Sequence, residues 1–181
     1  IEEASRPFGV TLAKKWEDYK DKVEYTVFVG PKLDGLRSYL KDGQLFYRSN
    51  KPVLSCPHLH IDCESVLDGE LYNHEYKDNF NKIVSLIRKD EPTEEAAEKV
   101  QYHIFDIISD KPFAARLDII IDLVEKNPNY VAVDWQAARD EEEVDMLLAK
   151  YLEEGYEGAM IRWGNDGYIQ ERTNKLLKHK L

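Results

Sequence analysis

The sequence is short of nearly every feature that would take it out of the class of ordinary water-soluble domains. Only two of its 181 residues are cysteine, Cys56 and Cys63. That is too few for the disulfide framework of a small secreted domain, so a hydrophobic core has to supply the stability. No apolar run approaches the roughly 18 residues that cross a bilayer, and the densest stretch, residues 117–124, holds Asp118 and Asp122. The opening Ile1-Glu2-Glu3-Ala4 lacks the basic and apolar regions of a secretory signal, and the expected setting is the cytoplasm. Basic charge is in deficit as well: 25 Lys and Arg against 35 Asp and Glu give a net charge of −10. That balance argues against wrapping nucleic acid by bulk electrostatics.

What is present, 43% apolar and 33% charged residues, is the composition of one globular domain. The acid is unevenly spread. Residues 61–165 carry 25 acidic and 11 basic side chains, whereas residues 1–60 carry 8 and 10, and residues 166–181 carry 2 and 4. Both ends of the chain are therefore mildly basic. Leu12, Trp16 and Tyr19 recur at helical spacing and predict an amphipathic helix over residues 11–23, with Thr11 as its N-cap. Strands are expected over 25–29, then over 36–40 and 44–48 as a hairpin turning at Lys41-Asp42-Gly43. Further strands are expected at 65–72, 102–108, 158–163, 168–170 and 176–180, and helices at 78–88, 112–126 and 139–154. Strands and helices mix without regular βα alternation, which favours an α+β fold with antiparallel sheets.

The most informative segment is Pro31-Lys32-Leu33-Asp34-Gly35-Leu36-Arg37, which falls between two predicted strands. Alone it reads as a polar turn with Asp-Gly at its tip. Five further segments follow it in order: Tyr47-Arg48-Ser49, Asp68-Gly69-Glu70, Tyr102 to Asp106, Glu157-Gly158 running to Arg162, and Lys178-His179-Lys180. With these in place the chain resembles the nucleotidyltransferase (adenylation) domain of ATP-dependent DNA ligases, particularly the compact phage-type enzymes. The same superfamily holds RNA ligases and mRNA-capping enzymes. The resemblance runs from Leu12 to Lys180. It implies the ATP-grasp-like nucleotidyltransferase fold, two antiparallel sheets with flanking helices and the nucleotide in the cleft between them.

The resemblance also implies roles. Lys32 is the nucleophile that takes AMP from ATP as a covalent lysyl adenylate. Asp34 serves secondarily at the nick, and Arg37 and Arg48 contact the nucleotide or the nick terminus. Glu70 accepts from the ribose hydroxyl and has a second role at the metal, Phe105 stacks on the purine with Met160 on its other face, and Glu157 stands on the metal side. The metal is Mg²⁺, or Mn²⁺ in its place. The residue types suit that chemistry, because a lysine amine attacks phosphorus only when neutral although its ordinary pKa is about 10.4. Lys178 and Lys180 lie two apart on a strand, face one way, and can both repel a proton from Lys32 and hold phosphate oxygens. Nucleotidyl transfer rests mainly on positioning and charge neutralisation, hence the divalent ion.

Three points depart from the pattern. Asn50 stands where glycine is usual, a mild change because Asn tolerates the left-handed conformation. Gly30, two before the lysine, offers only main chain to the adenine. The Cys56, His58, His60, Cys63 run invites a zinc reading, but its spacing is poor for one ion and an ordinary connection is expected. Relatives follow this domain with a small OB-fold domain that clamps DNA, and the sequence ends one residue after Lys180. The expectation is an excised, monomeric catalytic domain that is weak in overall nick sealing, with nicked double-stranded DNA and the missing domain as partners and no membrane. The enzymatic alternative is an RNA ligase or an mRNA-capping guanylyltransferase. A non-catalytic binding module is the alternative from outside enzymology.

Overall fold

The computed structural model describes residues 9–180, so the Ile1 to Ala4 opening and Leu181 lie outside the described residues. Among the described residues, ten strands form two sheets. Those of the first are β1 (Leu12–Lys15), β2 (Val27–Pro31), β8 (Gln136–Ala138), β9 (Ala159–Arg162) and β10 (Arg172–His179), in the order β1-β10-β9-β2-β8. The second contains β3 (Leu36–Lys41), β4 (Gln44–Tyr47), β5 (Leu67–Tyr72), β6 (Gln101–Ile107) and β7 (Tyr130–Ala132), in the order β4-β3-β5-β6-β7. Five α-helices flank them: α1 (Trp16–Tyr19), α2 (Phe80–Ile87), α3 (Glu94–Lys99), α4 (Phe113–Glu125) and α5 (Glu141–Glu153). The α+β class is as expected. None of the described helices is long and apolar enough to cross a membrane.

The sheets are mixed rather than purely antiparallel, since β1 runs parallel to β10 and β7 parallel to β6. The second case follows from the intervening α4, a helical crossover that returns the chain in its original direction. The β3–β4 hairpin is a two-residue turn with positive φ at Asp42 and Gly43 (53° and 79°), the twist-compatible geometry that Asp-Gly supplies. Helix α5 opens on Asp140, whose side chain accepts from the Glu143 N–H at 2.9 Å, with three glutamates in its first turn. That is the polarity a helix N-terminus favours.

Two local expectations fail. Residues 11–23 do not form one helix: Leu12–Lys15 pair with β10 and only Trp16–Tyr19 are helical. Ladder hydrogen bonds to a strand far along the chain override the helical spacing, and Thr11 donates its hydroxyl to the Ile169 carbonyl instead of capping. Residues 168–170 form no strand either. Tyr168 is consumed by cross-links, its N–H donating to Ser109 O (2.9 Å) and its hydroxyl to Asp68 Oδ2 (2.6 Å) while accepting from the Thr11 N–H (3.0 Å).

The apolar side chains collect in three clusters. One lies on the second sheet beneath α2, α3 and α4, around Leu45, Leu67, Ile87 and Ile104, and one on the first sheet beneath α1 and α5, around Trp16, Val29, Leu148 and Ile161. The smallest draws from both sheets: Leu33, Tyr72, Phe113, Val133, Trp135 and Leu176. A polar strap joins the sheets as well. Tyr72 OH donates to His74 Nδ1 (2.6 Å) and His74 Nε2 donates to the Glu154 carbonyl (2.7 Å). Because a carbonyl can only accept, the ring proton sits on Nε2.

At the inner end of α4, Asp106 is fully buried between two buried guanidinium groups, Arg116 Nε at 2.7 Å and Arg162 Nη2 at 3.0 Å. Arg116 reaches on to the carbonyls of Lys111 (2.7 Å) and Asp166 (2.9 Å). Asp106→Asn leaves two buried cations without their carboxylate. The expected loss is about 3–5 kcal/mol, measured as a fall in the urea midpoint at unchanged slope.

Candidate active site

The register of three strands assembles the reactive groups. Strand β9 lies between β2 and β10, with Pro31 opposite Ala159 on one side and His179 opposite Ala159 on the other. One step beyond, the Lys32 N–H donates to Gly158 O (2.9 Å). Lys32, Glu157 and Lys180 therefore converge. Lys32 Nζ donates to Glu157 Oε1 at 3.0 Å and Lys180 Nζ to the same oxygen at 3.2 Å. Burial opposes ionisation of Glu157, but the two ammonium groups outweigh it and hold the carboxyl below its usual range.

Lys32 opens onto a cleft of about 270 Å³ whose walls include Arg37, Arg48, Glu70, Phe105, Met160 and Lys178. Seven of the ten expected site residues, counting Lys32, thus line one cavity. Glu157 and Lys180 adjoin it through Lys32. Asp34 is the exception to the gathering: it is exposed and outside the lining.

Gly35 shows why the segment needs its glycine. A Cβ there would lie 2.4 Å from the Leu71 carbonyl, a distance no side chain tolerates, so strand β5 can approach only because glycine is present. The approach lets the Gly35 N–H donate to Glu70 Oε2 at 3.0 Å. Burial pushes the Glu70 carboxyl up to about 7, against the opposing pull of Arg37, the Gly35 N–H and Lys32.

Arg37 is more committed than a free nucleotide contact would be. It bonds Asp68 through Nε (2.7 Å) and Nη2 (2.6 Å), gives Nη2 also to the Thr11 carbonyl (2.9 Å), and lies over the Phe105 ring at 4.5 Å. Burial alone would lower its pKa, yet Asp68 raises it above the ordinary value. Its planar fork thus fixes the cleft wall on which Phe105 stands.

Sequence reasoning missed Trp135. Its indole lies over Gly30, 3.0 Å from where a Cβ would stand, and its Nε1 donates to the Phe105 carbonyl (3.3 Å). The space above Gly30 is thus taken by a ring supplied 105 positions later, and no local signal marks that tryptophan. The Cys56 to Cys63 run does not converge: Cys56 is buried in the core and His58 Nε2 lies 2.9 Å from the Val100 carbonyl. Among the described residues, no group of three or more His, Cys, Asp or Glu side chains is placed to hold a metal.

Glu70 gives the site a pH signature. Between about pH 4.3, the ordinary glutamate value, and about 7, the folded chain holds a proton that the unfolded chain has released. Stability contributed by the protonated group is complete below that window and is lost as pH rises through it. Glu70→Gln should remove this slope, so its urea midpoint gains on the parent's between about pH 5 and about pH 8. Parallel curves would show that Glu70 is ionised throughout.

Comparison with known proteins matches this geometry to one family. A family model described as ATP dependent DNA ligase domain matches residues 10–180. A DNA ligase of African swine fever virus is 27% identical over 125 residues, which are 65% of this chain and 28% of that enzyme; the chain thus spans less than a third of this relative's length. Among solved structures, a Lig E DNA ligase superposes with a TM-score of 0.81 at 24% identity, covering 97% of this chain and 70% of that one. The Chlorella virus DNA ligase-adenylate gives 0.79 at 23%, covering 96% and 67%. At these identities the superpositions speak for the fold, that of the ligase nucleotidyltransferase domain.

Proposed function

The chain belongs to the ATP-dependent DNA ligase domain family, and on that footing we propose that it is a ligase adenylation domain in which Lys32 is the nucleophile. The observation that carries the reading is the convergence of Lys32 and Lys180 on Glu157 Oε1, at 3.0 and 3.2 Å, beside a cleft walled by Phe105 and Met160. In the first step the Lys32 amine, having lost a proton, attacks the α-phosphorus of ATP. A P–N bond forms, the bond to the β-phosphate oxygen breaks, and pyrophosphate leaves with its electron pair. AMP then passes to the 5′-phosphate of a DNA nick, and the 3′-hydroxyl attacks that activated phosphate and releases AMP.

The residues divide the work by position. Phe105 and Met160 are placed to hold the purine, with Trp135 covering the main chain at Gly30, and Glu70 offers its carboxylate to a ribose hydroxyl. Lys178, on the cleft wall, and Lys180 supply positive charge for the phosphates. Arg48, exposed at the mouth, faces the phosphates or the nick end, and Asp34 stands on the solvent side where a polynucleotide end would arrive. Glu157 fits a divalent ion such as Mg²⁺ or Mn²⁺: it is an oxygen donor with a side chain 32% exposed, and such ions keep waters and substrate phosphates as their remaining ligands. Glu70 accepts the Gly35 N–H on Oε2, which leaves Oε1 for the ribose hydroxyl or the ion. When bound, the ion would supply neutralisation of phosphate charge.

On this reading the partners are nicked duplex DNA and the remainder of a longer ligase. The domain itself is a monomer in the cytoplasm of a bacterial or phage-infected cell, weak in complete nick sealing. Intact mass, before and after incubation with ATP and Mg²⁺, tests it. One adenylyl group should be gained from ATP but not from GTP or NAD, and none by Lys32→Ala. An adduct from GTP would instead point to capping chemistry. No adduct, even after discharge of pre-existing AMP with pyrophosphate, would remove Lys32 from the role in this domain.

A further inference from the structure

Beyond the cleft the surface carries a run of cations that adenylate formation does not use. Arg37 and Arg48 line both the cleft and a neighbouring open groove of about 440 Å³, which adds Ser49 and Arg88. Tyr47 and Arg88 in turn line the next depression, where Lys51 and Lys89 stand. The three concavities form one path, leading from Lys32 over the edge strand β4 to the end of α2. Asp90 lies at its far end, so the positive stretch is bounded.

Among the described residues, none of Arg48, Lys51, Arg88 and Lys89 takes part in an ion pair. On a chain of net charge −10, these four exposed cations outside any ion pair, with Asp90 the one carboxylate along the two outer depressions, form a positive stretch open to an external anion. Their supports are fixed. The turn bearing Arg48 and Ser49 is closed by Tyr47 N–H to Lys51 O and Asn50 N–H to Tyr47 O, each 2.8 Å, with Asn50 at φ 72°. Arg88 lies over the Tyr47 ring at 5.2 Å, and that ring's hydroxyl donates to the Ile87 carbonyl at 3.1 Å.

The shape selects the kind of anion. Arg48 and Arg88 are exposed on an open groove, so a single small ion would be poorly held, whereas a polyanion gains from each counterion it releases. Beyond the cleft the ring on the path, Tyr47, already has Arg88 over it, which favours backbone contacts over base stacking. We propose that this path carries the sugar–phosphate backbone of nicked DNA as it leaves the cleft, with Arg48 and Arg88 as phosphate ligands and Lys51 and Lys89 beyond them. The proposal rests on the ligase reading for its choice of DNA.

The test is binding of a fluorescent nicked duplex bearing a 5′-phosphate, followed by anisotropy over a salt series. Arg88→Gln should weaken binding several-fold at low salt and flatten the slope of log affinity against log salt by about 0.9, one phosphate contact. Arg88→Gln with Lys89→Gln should flatten it further, Arg88→Lys should keep most of the slope, and Lys126→Gln, at the far end of α4, should change nothing. Arg88 is exposed, and thermal midpoints verify that each variant folds. A parental slope in the double variant, or no binding by the parent chain, would overturn the proposal and leave Arg88 and Lys89 as partners of the α2 C-terminal dipole alone. Lys32 adenylation of the parent chain is scored separately by mass. An adduct with an unmoved slope sinks this inference alone, whereas a moved slope without an adduct sinks the nucleophile assignment alone.

Discussion

The site depends on the register of β9 between its two neighbours. Side chains alternate across a strand, so a slip of one residue against β2 or β10 would turn Met160 away from the cleft and carry Glu157 off Lys32 and Lys180. Nothing local to Glu157 prevents such a slip. It is prevented by the burial of Ala159 and Ile161 on the face opposite Met160, where Val29, Leu148 and Tyr151 belong to the same core. The acid–base constellation is thus fixed by apolar packing on the other side of the sheet, and the chemistry inherits its geometry from a core it never touches.

A second constraint is the division of charge within the six sequence segments that carry the site. Four of their ionic residues, Arg37, Asp68, Asp106 and Arg162, are held in buried ion pairs that build the wall. Asp68 is fully buried against Arg37 and Tyr168, and Asp106 against Arg116 and Arg162. These pairs hold the first sheet, the second sheet and the 163–171 loop in one arrangement. Glu70, two residues along β5, shares the face of Asp68, and Phe105, left unpaired where the β5–β6 register shifts, stands beside Asp106, so both reach the cleft next to these pairs.

Part of this arrangement was legible in the sequence. Lys32, Glu70, Phe105, Glu157 and Lys178 could be found because their segments, in order, resemble those of ATP-dependent DNA ligase adenylation domains, and the structure brings them to one place. The hairpin at Asp42-Gly43 and the N-terminal acid of α5 were legible for local reasons, turn geometry and helix dipole. What stayed hidden was decided by contacts across the chain. Residues 12–15 have helical spacing yet pair with β10, Tyr168 has a strand-like neighbourhood yet serves Asp68, and Trp135 covers Gly30 without any nearby residue announcing it. The parallel edges of both sheets were hidden for the same reason, since periodicity shows that a strand exists but not the direction of its neighbour.

The three separate hydrophobic clusters have a dynamic consequence. Each sheet owns a core with its own helices, while the floor of the cleft rests on the smallest cluster, shared between them. Such an arrangement divides the molecule into cooperative units of unequal depth. Amide protons in the centre of either sheet exchange with solvent only when that unit melts, but those along the seam exchange whenever the halves part. A nucleotide in the cleft would sit on this seam, adding its own contacts to the ion pairs and the small shared cluster that join the two units.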